Sequence, residues 1–96
     1  MRKNKQHHKN RDLEALGDAI RDRRIDLELT QDELGNKALL HRTYVTDVEG
    51  GLRNISYITL LRIADGLKCS LSILISSAEN EKKIARKSDT AIGINE

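Results

Sequence analysis

Arg42, Thr43 and Thr46 stand at i, i+1 and i+4 in a short stretch that also carries Gln31 upstream and Arg53-Asn54 downstream. A guanidinium fork matches the paired O6 and N7 acceptors of guanine, and a threonine can contact a base or a thymine methyl. If the three open one helix, their side chains leave it on the outward side of its first turns, where a helix entering a major groove meets base edges. Gln31, at the start of a preceding helix, would be placed for a phosphate, with that helix's dipole adding to the attraction. For any one of these residues a solvated surface group is the commoner reading; their joint spacing points to double-stranded DNA.

The elements that must hold them lie between Thr30 and Gly51. Thr30 and Glu33 form a capping box, with the hydroxyl serving the N3 backbone N–H and the carboxylate reaching back to the cap. Leu34 and Ala38 recur four apart, the pattern breaks over Lys37 to His41, and Val45, Val48 and Glu49 open a second run. Two helices this short need each other. Gly35 lowers helix propensity on the inner face of the first, which close approach by the second helix's backbone would explain. The stretch reads as a helix-turn-helix.

These residues carry a family resemblance. Gln31, Gly35, Leu40, the run Arg42-Thr43-Tyr44-Val45, Glu49, Gly51, Arg53-Asn54 and Leu60-Leu61-Arg62-Ile63-Ala64 are similar to the lambda-repressor-like (XRE) helix-turn-helix family over roughly Leu16 to Ile75. The resemblance is nearest to short single-domain members such as restriction–modification controller proteins and some antitoxins. It implies backbone contacts to DNA by Arg53 and Asn54. Two positions depart from the pattern. Leu39 stands where the family usually has a turn glycine, and leucine is costly at positive φ. His41 replaces the usual Ser or Asp cap. The turn is therefore expected to take a different shape here.

Along the chain, residues 1–11 hold five cations and no acid, without hydrophobic periodicity, and read as a disordered basic arm. Two adjacent histidines there, His7 and His8, are tail residues rather than a metal site, since no further His or Cys gathers near them. Leu13, Leu16, Ile20 and Leu27 make one helical stripe from about residue 12 to residue 27, interrupted by Arg24. Glu49 interrupts the apolar face of the later helix. Two opposite charges on two inward faces are best explained by a buried pair, against the bland alternative that both reach out to water. The resemblance implies the same Arg–Glu contact.

Ser56 caps a fourth helix, residues 57 to about 67, and Ser70 a fifth, residues 71 to about 77. Ile73 lies at N3 of the fifth, where a glutamate would complete the cap and where the family commonly has one. It falls off the Leu71, Leu74, Ile75 face, so it is expected in a twofold dimer interface, unless the chain beyond Ala78 covers it. The expected fold is all-α, a five-helix domain over residues 12–77 with a flexible arm, 1–11, and a polar, largely disordered tail, 78–96.

Composition bounds the rest. Ninety-six residues without proline, tryptophan or phenylalanine allow one small domain with an aliphatic core. No apolar run approaches a membrane span or the core of a signal peptide, so a cytoplasmic location is expected. The single cysteine, Cys69, offers neither a disulfide nor metal spacing and reads as buried filler. Residues 12–77 carry eight basic against eleven acidic groups, so bulk charge cannot hold DNA and the cations must share one face. An enzyme is not expected, because no histidine or cysteine joins an acid pair or nucleophile, and no cofactor is implied. Two tyrosines are too few stacking platforms for a single-strand RNA binder. The alternative function is an antitoxin that binds a toxin protein and uses DNA binding for autoregulation.

Overall fold

The computed structural model describes the backbone of residues 10–94 and side chains through residue 82. The order is α1 Arg11–Asp26, α2 Gln31–Ala38, α3 Arg42–Glu49, α4 Tyr57–Gly66 and α5 Leu71–Ile94, all of them α-helices. No helix among the described residues is long and apolar enough to cross a membrane. His7, His8 and most of the basic arm lie outside the described residues.

Helix starts follow from local chemistry. Asn10 caps α1, its Oδ1 accepting from the N–H groups of Asp12 at 2.8 Å and Leu13 at 3.2 Å, so the expected arm ends one cap earlier than residue 11. The Thr30–Glu33 capping box is made on both sides, at 3.0 and 2.8 Å. Ser56 Oγ accepts from Thr59 N–H and Ser70 Oγ from Ile73 N–H. Each satisfies a donor that a helix N-terminus leaves without a partner.

The core is aliphatic. Ile20, Leu34, Val45, Val48, Ile63, Leu67 and Leu74 are its largest fully buried side chains, drawn from all five helices. Cys69 packs against this cluster half-buried rather than enclosed. Three arginines tie the ends together. Arg23 donates to the carbonyls of Leu67 and Lys68 at the end of α4, Arg62 to that of Ala38 at the end of α2, and Arg24 to that of Leu29. Each meets carbonyls left open by a helix C-terminus or the turn after it.

Three expectations need correction. The turn between α2 and α3 does not avoid the left-handed conformation: Leu39 itself takes it, at φ 61°, ψ 44°, and is 77 % exposed. Its neighbour Leu40 donates its N–H to Gly35 O at 2.8 Å, and Gly35 is required because a Cβ there would lie 2.5 Å from Leu40 O. The close approach is thus from the turn, not from α3. The fifth helix also does not stop near Ser77. It continues to Ile94, with Ala78 in the core and Lys82 paired to Asp12 of α1. Positions 79–82 are all charged or polar, as in a tail, but Leu71, Leu74, Ile75 and Ala78 keep a helical stripe running toward α1.

Candidate nucleic-acid interface

Helix α3 begins at Arg42 after an unusual cap. His41 Nδ1 accepts from Thr43 N–H at 3.0 Å, doing with a ring nitrogen what a Ser or Asp oxygen usually does. This bond requires Nδ1 to be the unprotonated nitrogen. Val45, Val48 and Glu49 face the core, which turns Arg42, Thr43 and Thr46 outward, all three exposed. The helix is fixed from behind by α1, where a Cβ on Gly17 would lie 2.5 Å from Val48 O and 2.6 Å from Glu49 O. Sequence reading passed over Gly17, since the partner of that contact is thirty-odd residues away.

Arg24 and Glu49 meet in a two-pronged ion pair. Nε donates to Oε2 at 2.6 Å and Nη2 to Oε1 at 3.0 Å, and the side chains are 12 % and 3 % exposed. The hydrogen bond to Glu49 holds the Arg24 pKa above its usual value, against the opposing effect of burial and with help from the carboxylate's charge. Paired this way, two inward charges are tolerated where either alone would not be.

The pair continues outward. Gln31 Nε2 donates to Glu49 Oε1 at 3.0 Å, and Gln31 Oε1 accepts from the Thr46 hydroxyl at 2.8 Å, which also lies 3.1 Å from the carbonyl of Arg42. Gln31, expected to reach a phosphate, is therefore half-buried and turned toward α3, with one of its two amide hydrogens engaged. Sequence spacing placed Gln31 and Thr46 on adjoining helices but gave no sign that they touch.

Past α3, the chain turns at Gly51, whose φ is 76° and where a Cβ would meet the Glu14 backbone at 2.9 Å. Arg53 and Asn54 follow, both exposed. Arg53 Nε lies 3.3 Å from Asp47 Oδ2, and the guanidinium stands 5.0 Å from the centre of the Tyr44 ring. Asp47 and Tyr44, both unassigned by sequence reading, thus hold Arg53 beside α3. Ile73 sits elsewhere, on α5, 55 % exposed, bordering a shallow groove with Cys69, Arg23 and Asp22. Among the described residues no group of three or more His, Cys, Asp or Glu is arranged to hold a metal.

The geometry has close counterparts. The family pattern HTH_3, helix-turn-helix, matches residues 20–74. The control protein C.MunI of Mycoplasma sp is 37 % identical over 59 residues, covering 62 % of this chain and 80 % of that protein. The restriction–modification controller protein C.AhdI of Aeromonas hydrophila is 35 % identical, with TM-score 0.65 over 66 % of this chain and 96 % of that one. C.Esp1396I, solved as a tetramer with its natural 35-base-pair operator, is 28 % identical, with TM-score 0.69 over 74 % of this chain and 93 % of that one.

Proposed function

The chain belongs to the helix-turn-helix family, and from that premise we propose that it is a dimeric, sequence-specific regulator of transcription, of the kind that controls a restriction–modification gene pair. Its partner is double-stranded DNA carrying an inverted-repeat operator. The observation that carries this is the presentation of α3. Its buried residues are clamped by Gly17 and the Arg24–Glu49 pair, so Arg42, Thr43 and Thr46 project from one rigid edge. Arg42 is the guanine reader, and Arg53 and Asn54 approach the backbone from the loop behind. Gln31 keeps one amide hydrogen for a phosphate, the other being used on Glu49. The likeness to controller proteins favours this reading over the antitoxin one.

A random duplex pool, selected for binding, tests the proposal. It should return an inverted repeat whose half-sites are centred about one helical turn, roughly 10 base pairs, or a multiple of it apart. Recovery of sequences no more alike than the starting pool would overturn sequence-specific binding.

A further inference from the structure

We infer that Thr46 reads an A·T base pair with its methyl group and an oxygen lone pair, and that Gln31 is the positioning residue that keeps the hydroxyl proton away from the bases. The inference rests on the DNA-binding reading above and adds the chemistry of one contact.

The argument starts at the buried ion pair. Glu49 is a carboxylate facing Arg24, so both its oxygens can only accept. The Gln31 amide is 3.0 Å from one of them and must present its nitrogen there. Its oxygen is thereby left facing Thr46 at 2.8 Å, and an amide oxygen has no proton to give. The single hydroxyl proton of Thr46 is drawn to that oxygen. The other protein group within reach, the Arg42 carbonyl at 3.1 Å, is also an acceptor. Both partners of the hydroxyl lie on the protein and both demand its proton.

What this exposed side chain retains for the groove is a methyl and an accepting lone pair. A·T pairs answer both, with the thymine 5-methyl and the adenine N6 amino donor. G·C pairs lack the methyl; cytosine offers the lone pair an N4 amino donor, but guanine lays two acceptors in the groove, which a hydroxyl can satisfy only by donating. The charge state of a buried pair between α1 and α3 thus sets which base is matched on the outer face of α3.

The test uses the operator returned by selection, with deoxyuridine replacing one thymine at a time in one half-site. Uracil removes the methyl and leaves the pairing edge unchanged. At one position the wild-type protein should bind the uracil duplex about threefold to fourfold more weakly, the worth of one buried methyl. Thr46→Val should keep that thymine-to-uracil ratio and Thr46→Ser should lose it. The opposite pattern, or a ratio near one throughout, overturns the methyl contact. Gln31→Met, or Gln31→Ala if the thioether variant does not fold, removes the nearer of the two acceptors and leaves the hydroxyl proton only the Arg42 carbonyl at 3.1 Å, from which it can turn to a base. The ratio should then persist while the penalty for placing G·C at that position shrinks; an unchanged G·C penalty overturns the role of Gln31. If selection returns no site at all, it is the regulatory reading that fails.

Discussion

At the scale of single residues, the interface depends on charges whose partners lie far off in sequence. Glu49 is held by two donors from Arg24 and one from Gln31, and is 3 % exposed at its side chain. Glu49→Gln leaves the guanidinium buried without its counter-charge, so unfolding in urea should show a loss of about 3 to 5 kcal/mol. A loss of only a few tenths would mean the pair contributes nothing net. Asp47 poses the reverse puzzle, an acid near the end of the helix proposed to face DNA, where both the helix dipole and the phosphates would disfavour it. Its contact with Arg53 gives it a reason to be there. If Asp47 aims Arg53, Asp47→Asn weakens binding to the operator, and the effect disappears in an Arg53→Ala background. Were Asp47 only a repelling charge, the same change would tighten binding in both backgrounds. The sign of the shift in a mobility or anisotropy titration separates the two.

At the scale of elements, three of the turns carry a non-glycine residue in the left-handed region: Glu28 at φ 59°, Leu39 at 61° and Lys68 at 55°. Such conformations disfavour L-residues by about 1 to 2 kcal/mol, while glycine adds flexibility to the unfolded chain worth roughly 0.5 to 1. Leu39 is 77 % exposed, so removing its side chain forfeits almost no packing. Leu39→Gly should therefore stabilise the protein by about 0.5 to 1 kcal/mol, a rise of a few degrees in melting midpoint by scanning calorimetry. An unchanged or lower midpoint would mean that the leucine is supported in the turn by something other than its backbone. The same turn marks how far the sequence could be read. Caps at Thr30, Ser56 and Ser70 and the stripes of α1 to α4 were legible because each depends on neighbours three or four residues apart. So was the Arg24–Glu49 pair, because a charge on an apolar stripe demands a partner. The shape of the Leu39 turn was misjudged because a propensity was allowed to outweigh the packing around it. Gly17, Asp47 and the Gln31–Thr46 link were missed because their partners come from other elements or depend on side-chain direction. The end of α5 was missed because the surface charges of positions 79–82 hid a stripe that continues to Ala78.

At the scale of the whole molecule, two surfaces remain to be assigned, and both follow from where charge and apolar area fall. Ile73 is 55 % exposed on α5, its backbone bonded to Ser70 and its side chain off the core face. A second copy meeting it through α5 would cover it and set two α3 helices toward two half-sites. Ile73→Glu should then sediment as a folded monomer; dimerisation as in the wild type would reject this surface. The charge map makes a separate demand. Residues 12–77 are net acidic, whereas Arg2, Lys3, Lys5 and Lys9 precede a helix cap at Asn10. Counterion release gives each neutralised phosphate about 0.9 in the slope of log affinity against log salt. Deleting residues 1–9 spares the cap and removes four cations, so it should flatten the slope by at most roughly 4 and weaken specific and scrambled duplexes alike. Arg42→Ala removes the proposed base contact instead, and should cost about 1 to 3 kcal/mol on the operator and far less on a scrambled duplex. An arm that enters the minor groove would blur the division by adding a preference for A·T flanks. Both duplexes are therefore titrated across a salt series for the wild type, the deletion and Arg42→Ala. An intact slope in the deletion, or equal weakening of both duplexes by Arg42→Ala, would mean that affinity and specificity are not divided between arm and recognition helix.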